Sequence, residues 1–261
     1  MTSTMLFLLL AIAIAAQLQH ATHAYIIASP SSPLLHPSSR LSSPITTTTR
    51  SRSCSQLFAR PQARSREVHK NILTRRTINE FEPSLPKNWE NSLERAITAA
   101  IYAPNHKRTE PWRFYLLGPK SIEKVCKLNA EIVASTKGEE AGAKKLKRWL
   151  QMPGWLVVTC VKSHDNDEPG KDFNNESSLA REDYAACCCA VQNLCLSLHS
   201  QGIGTKWTTG PVNFDQRFAK AVGFSPDEEY TVGTIWFGSA VVDPSTPGKK
   251  LGVEGTFTKV D

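Results

Sequence analysis

The segment Leu179–Gln201 constrains this chain more than any other. Between Ala185 and Leu198 it reads AACCCAVQNLCLSL, a helical pattern that is apolar nearly all the way round. Glu182 and Asp183 fall in its early turns, where negative charge suits the helix dipole, and Gly202 follows as the C′ residue. A helix without a solvent face must be covered on most sides, either at the centre of a domain or at a subunit interface. Ala185, Ala186, Cys187, Cys188, Cys189 and Ala190 are small enough to let neighbouring helices approach, so the cysteines read as packing residues.

A metal site is not expected. Successive side chains on a helix diverge by about 100°, so the cysteine triplet cannot converge on one ion. Cys195 and His199, at i and i+4, make half a site at most. The chain has seven cysteines, with Cys54 in the leading segment, and neither number nor spacing describes a disulfide framework.

Around the long helix, helices and strands alternate. Asn91–Tyr102 places Leu93, Ile97, Ala100 and Ile101 at helical spacing and is stopped by Pro104. Trp112–Leu117 reads as a strand whose Trp112 belongs to the core, and Ser121–Ser135 and about Lys137–Leu150 read as helices. Trp155–Val161 is a continuous apolar run, which calls for a strand buried on both faces with helices on each side. Tyr230–Phe237 supplies another buried strand. Ser163–Ser177 lacks periodicity and is expected to be a loop, in the role of a lid, while Leu251–Asp261 forms a tail that folds back or crosses to a partner.

The leading residues have a different character. The first 64 contain no Asp or Glu and five arginines. Met5–Ala16 is an apolar run of the length of a signal-peptide core and too short to span a bilayer, so no membrane anchor is expected in the mature form. Residues 1–24 read as a signal peptide, and 25–66, rich in Ser, Thr, Pro and Arg, as a disordered plastid transit-like segment. The folded part is then 67–261, delivered to a plastid; plain secretion with a disordered linker is the alternative. Reduced, buried thiols suit a plastid stroma better than an extracellular space. Without the five arginines of the first 64 residues, 26 basic residues face 24 acidic ones. A nucleic-acid partner is not expected of so balanced a domain, whose basic cluster is Lys144, Lys145, Lys147 and Arg148 on one helix.

Several chemistries find no motif. GIGTKW, from Gly202, lacks the third glycine of a dinucleotide fingerprint, and no P-loop, HExxH or GxSxG is present. TRRTINEF, Thr74–Phe81, is more informative: two guanidinium forks beside a hydroxyl suit a phosphate dianion, although a solvated basic turn would read the same.

Three motifs in order, RRT (75–77), APNHKRTEPWRF (103–114) and EDYAACCCAVQNLCLSLHSQGIGTKWTTG (182–210), followed by YTVGTIWFGSA (230–240), resemble the nitroreductase family of FMN-dependent oxidoreductases, closest to its small single-domain bacterial branch. The resemblance covers nearly everything after residue 70. It implies an α+β nitroreductase-like fold, a central mixed β-sheet flanked by helices, and a homodimer with shared FMN sites. By the same resemblance Arg75, Arg76 and Thr77 hold the FMN phosphate and ribityl chain, Tyr102 and His106 contact FMN, and Trp207, Thr208 and Thr209 line the flavin. Ser197, Leu198, His199, Ser200, Gln201 and Gly202 are implied to meet the nicotinamide nucleotide, NADPH or NADH.

Asn79 and Thr208 stand where relatives carry basic residues, as does Tyr102, which puts the strength of FMN binding in question. No protein acid or base is required, because the reacting centre is flavin N5. The implied activity is hydride transfer from NAD(P)H through FMN to nitroaromatic, quinone-like or other electron-poor small molecules. The alternatives are a non-catalytic flavin-binding or sensing protein, and a specialised reductive dehalogenase or flavin-modifying relative.

Overall fold

A computed structural model describes residues 61–162, 178–242, 250 and 252–260. The expected lid, Ser163–Ser177, and nearly all of the expected presequence lie outside the described residues.

The first described element is helix α1, Pro61–Thr74. It begins ahead of residue 67, so the expected boundary between transit-like segment and folded domain falls inside a helix. Gln, Ala, Arg and Glu are good helix formers, and the helix is mostly exposed, its Val68, Ile72 and Leu73 included. Helix α2 (Trp89–Ile101) follows, burying Leu93, Ala96 and Ala100 on one face. A 3₁₀ turn (His106–Arg108) leads into strand β1, Trp112–Leu116. Helices α3 (Pro119–Lys137) and α4 (Glu139–Trp149) form a hairpin, and β2 is Gly154–Val161. The long helix is α5, Ser178–Ser200, after which come β3 (Gly204–Thr208), a 3₁₀ turn (Pro211–Phe214), α6 (Gln216–Val222) and β4 (Glu229–Gly238).

The four strands lie in the order β1-β2-β4-β3 and every neighbouring pair is antiparallel. The mixed character expected of the sheet is confined, among the described residues, to a single parallel bridge between Thr77 and Thr205. Alternation along β2 explains its unbroken burial. Leu156, Val158 and Cys160 face α2 and α5, where they meet Leu93, Val191 and Leu194. Trp155 and Val157 face α3, α4 and α6, where they meet Val125, Trp149 and Phe218. On that second face Trp149, Trp155 and Trp236 pack edge to face, with ring centroids 5.1–5.6 Å apart. The strand therefore has helices on both sides, as its apolar run requires.

Helix α5 meets its expectation only in part. Ala186, Cys187, Ala190, Val191, Leu194 and Leu198 are buried, and Cys195 is nearly so. Tyr184, Ala185 and Cys189 on another side are exposed in the single chain. Cys189 is therefore not a packing residue among the described residues, although Tyr184 beside it stacks on Tyr230. Among the described residues no helix is long and apolar enough to cross a membrane, and no group of His, Cys, Asp or Glu could hold a metal ion.

Candidate functional site

The two arginines of TRRTINEF leave the end of α1 at the edge of the sheet. Strand β3 is the outermost strand on its side, and the chain after α1 lies along it: Thr77 bridges Thr205, and the Ile78 amide donates to the Thr205 carbonyl at 3.0 Å. Beside this junction opens a cavity of ≈ 350 Å³. Its walls include Thr74, Arg75, Arg76, His199, Thr205 and Ser239.

Arg76 turns one terminal nitrogen back to the carbonyls of Leu73 (2.6 Å) and Arg75 (2.8 Å), satisfying orphan acceptors at the C-terminus of α1. Its Nε is buried and has no hydrogen-bond partner. The Arg75 guanidinium has no hydrogen bond or ion pair among the described residues, yet its charge reaches Cys195, where it acts against the upward push of burial on that thiol. A hydrogen bond between Cys195 and Thr205, which lines the cavity, acts in the same direction. A cleft with two guanidiniums, one unpaired among the described residues and one holding a buried donor without a partner there, fits an anionic oxygen ligand such as a phosphate.

Trp207 approaches the sheet because Gly233 has no side chain: a Cβ there would lie 2.2 Å from the indole nitrogen. That nitrogen donates to the Val232 carbonyl at 3.4 Å, and 37% of Trp207 remains exposed. Thr208 and Thr209 continue from β3 into a turn braced by Asn213, whose side-chain nitrogen donates to the Thr208 carbonyl (2.9 Å) while its oxygen accepts from Thr234 (3.0 Å). Asn213 is 6% exposed and was not among the residues expected from the sequence. Lone asparagines signal turns, and its cross-strand partner is visible only in three dimensions.

The Ser197–Gly202 group divides. Leu198 is fully buried in the core. Gln201 is bound into helix packing: it donates to the carbonyls of Ser197 (2.9 Å) and Ser92 (3.3 Å) and accepts from Arg95 (2.8 Å). Gly202 sits at φ 76, the left-handed conformation that ends α5. Ser200 borders an adjoining hollow with Glu67 and Lys70. Of the group, His199 and Gly202 line the arginine cavity. Asn79 donates nothing to it, since its oxygen accepts from Lys206 Nζ at 2.9 Å, and that lysine lies over the Trp236 ring on the α3–α4 face. Burial and the nearby charges of Arg148 and Lys145 lower the Lys206 pKa.

Tyr102 and His106 lie elsewhere, on a convex loop. Tyr102 is 81% exposed, and His106 Nδ1 is 3.7 Å from Glu182 Oε2 on α5. Neither lines the arginine cavity. Their loop is strained, with positive φ at Lys107, Arg108 and Glu110, none of them glycine. Among the contacts that hold it, Thr109 Oγ1 donates to the buried Asp183 carboxylate at 2.6 Å, and the Glu110 amide donates to Asn105 Oδ1 at 3.2 Å.

The fold and this cleft together define an α+β protein with a basic cavity, suited to an anionic ligand, where a helix end meets the edge of an antiparallel sheet. Residues 72–239 match the family model described as the Nitroreductase family, and the chain belongs to that family. The Bacillus subtilis (strain 168) protein YfhC, named as a candidate NAD(P)H nitroreductase, is 31% identical over 166 residues, covering 61% of this chain and 77% of that one. The crystal structure of a nitroreductase-like family protein from Bacillus cereus superposes with a TM-score of 0.59 at 23% identity, covering 74% of this chain and 96% of that one. A nitroreductase with bound FMN from Desulfitobacterium hafniense DCB-2 gives 0.54 at 18% identity, covering 75% and 98%. These two structures share the fold.

Proposed function

We propose that this chain is an FMN-dependent oxidoreductase that takes hydride from NAD(P)H and passes electrons to nitroaromatic, quinone-like or other electron-poor small molecules. The observation that carries the reading is the cavity beside β3, where Arg75 is unpaired among the described residues and Arg76 keeps a buried donor without an acceptor. Arg75 and Arg76 would hold the FMN phosphate, Thr77 the ribityl chain, and Trp207 with Thr208 and Thr209 the flavin side of the cleft. When bound, FMN supplies the redox chemistry at its N5. The chain's task is to bind, orient and shield: fixed donors need no rearrangement at the moment of reaction.

The same reading makes the protein a homodimer. In one chain Tyr102 and His106 are displayed outward from a strained loop, and Tyr184, Ala185 and Cys189 of an otherwise apolar helix are exposed. A second copy packed there would cover them and bring the partner's loop to the cleft. Delivery is proposed to run through the acid-free leader to a plastid, and a reporter fused behind residues 1–66 that is secreted instead would contradict this.

The functional test is direct. The purified protein should carry a flavin absorption band whose released chromophore is FMN; mixing with NADPH should bleach the band rapidly, and a nitroaromatic or quinone should restore it. A yellow protein inert to NADPH and NADH would make it a flavin-binding module, and a colourless one that ignores added FMN would end the reading.

A further inference from the structure

Resting on the reading of Trp207, Thr208 and Thr209 as the flavin side of the cleft, we infer that Asn213 is a positioning residue for the flavin ring, one that holds this segment from the opposite face of the sheet. Strand β3 pairs regularly with β4 from Gly204 to Thr208, so its successive residues face opposite ways. Thr205, which lines the arginine cavity, and Trp207 face one side, while Lys206, over the Trp236 ring, faces the other. The strand stops at Thr208, and with it the ladder that would fix the backbone beyond. The residues proposed to meet the flavin thus have the least support from the strand itself.

Asn213 supplies that support. It stands in the 3₁₀ turn Pro211–Phe214, whose Val212 is buried in the same cluster as Val125 and Phe218 on the α3–α4 face. Its backbone amide donates to the Gly210 carbonyl at 3.0 Å, and its side-chain nitrogen to the Thr208 carbonyl at 2.9 Å, so one residue closes the turn at two points. Its side-chain oxygen accepts from Oγ1 of Thr234, the β4 residue opposite Thr208 in the register, at 3.0 Å. Only one orientation of the amide makes both bonds, because a carbonyl cannot donate. With Asn213 6% and Thr234 2% exposed, water does not readily replace either partner.

The hold on the Thr208 carbonyl reaches the indole next to it. A Cβ on Gly233 would lie 2.2 Å from the Trp207 ring nitrogen and 3.1 Å from the Thr208 carbonyl oxygen, so both groups border the space that this glycine leaves open. A carbonyl that shifts towards that space displaces the indole. The arginines belong to the end of α1 and make no hydrogen bond to this turn among the described residues. Loss of Asn213 therefore loosens the ring side of the cleft and spares the phosphate side.

The test titrates the flavin-stripped full chain, well below its melting temperature, with riboflavin and with FMN by flavin fluorescence, and with inorganic phosphate by its competition against FMN. Asn213→Ala should weaken riboflavin and FMN alike, by about tenfold, and leave the affinity for phosphate unchanged. Thr234→Val keeps the donor to Thr208 but frees the amide to turn, and should weaken both flavins by about threefold. Combined, the two changes should fall short of the product of their separate effects, since both act through one amide. Val125→Ala, a cavity-forming change in the cluster beneath the turn, should lower the urea midpoint and leave both flavin affinities as they are. Circular dichroism checks each fold, and where Asn213→Ala fails to fold, Thr234→Val decides by the same comparison. An Asn213→Ala protein that loses stability yet keeps its riboflavin affinity, as Val125→Ala does, overturns the inference. So does a loss confined to FMN, which would put the turn at the phosphate. Wild type that binds neither flavin overturns instead the FMN reading on which this rests.

Discussion

The arginine cavity and the His106 loop are two halves of one proposed site, built in opposite ways. The cavity half is concave and assembled within one chain: a helix end, the edge strand β3 and the last turn of α5 close on a common space. The loop half is convex. Its backbone is held in unfavourable conformations at three non-glycine residues, and its aromatic Tyr102 stands in solvent. Within the single chain the cavity half of the proposed site is assembled, whereas Tyr102 and His106 of the other half stand exposed.

The largest expected effect breaks the cavity half. Arg75→Ala combined with Arg76→Ala removes charge-assisted hydrogen bonds worth about 1.5–3 kcal/mol each, so FMN affinity should fall by about a hundredfold or more while circular dichroism stays unchanged. Retained flavin after gel filtration of the double variant would show that the cavity is not the phosphate site.

Next in size is a test of the division between halves. Cys189→Arg puts a charge on the exposed side of α5, where burial in an interface would be costly. Light scattering should report a monomer, and FMN affinity should drop about tenfold or more even though every cavity residue is intact. A dimer that persists with unaltered flavin affinity would place the second copy elsewhere.

A smaller effect concerns the brace beneath the loop. Thr109→Val deprives the buried Asp183 carboxylate of a donor at 2.6 Å, and should destabilise the protein by about 1–3 kcal/mol. The melting temperature should fall by a few degrees, and His106-dependent flavin binding should weaken more than riboflavin-insensitive binding of inorganic phosphate at the arginines. Equal losses for both ligands would mean that the halves are not separately held.

The smallest effect is alkaline. Tyr115, on the α3–α4 face of the sheet, donates to both carboxylate oxygens of Glu229 (2.8 and 2.9 Å), and Thr159 donates to Glu229 as well. Burial, then the hydrogen bond to Glu229 and its charge, raise the Tyr115 pKa to about 12 from its ordinary 10.0. The folded state thus holds this proton more tightly than the unfolded chain. The associated stabilisation is complete below pH about 10 and disappears as pH rises towards about 12. Urea midpoints should decline over that window, and Tyr115→Phe should flatten the decline; an unchanged slope would assign it to other groups.

Much of this molecule could be read from the chain because burial leaves a periodic trace. The continuous run Trp155–Val161 requires cover on both faces, and helices on both faces provide it. Trp112 was expected in the core and is 4% exposed. What escaped reading left no such trace. Helix α1 is mostly exposed, and β3 is a short edge strand with only Thr205 fully buried, so neither carries a strong apolar pattern. Asn213 braces the Thr208 turn through a hydroxyl 21 positions away, a pairing that local sequence cannot announce.

Chemical capability was settled by the sequence: two adjacent guanidiniums, a histidine near a helix end, and a helix too apolar to stand in water. Side-chain type and periodicity are local properties and survive in one dimension. Only the tertiary structure decided which of these groups share a space. It drew His199 to the arginines, turned Asn79 to the opposite face and left His106 apart, because the antiparallel register and the close approach allowed at Gly233 determine which distant residues become neighbours.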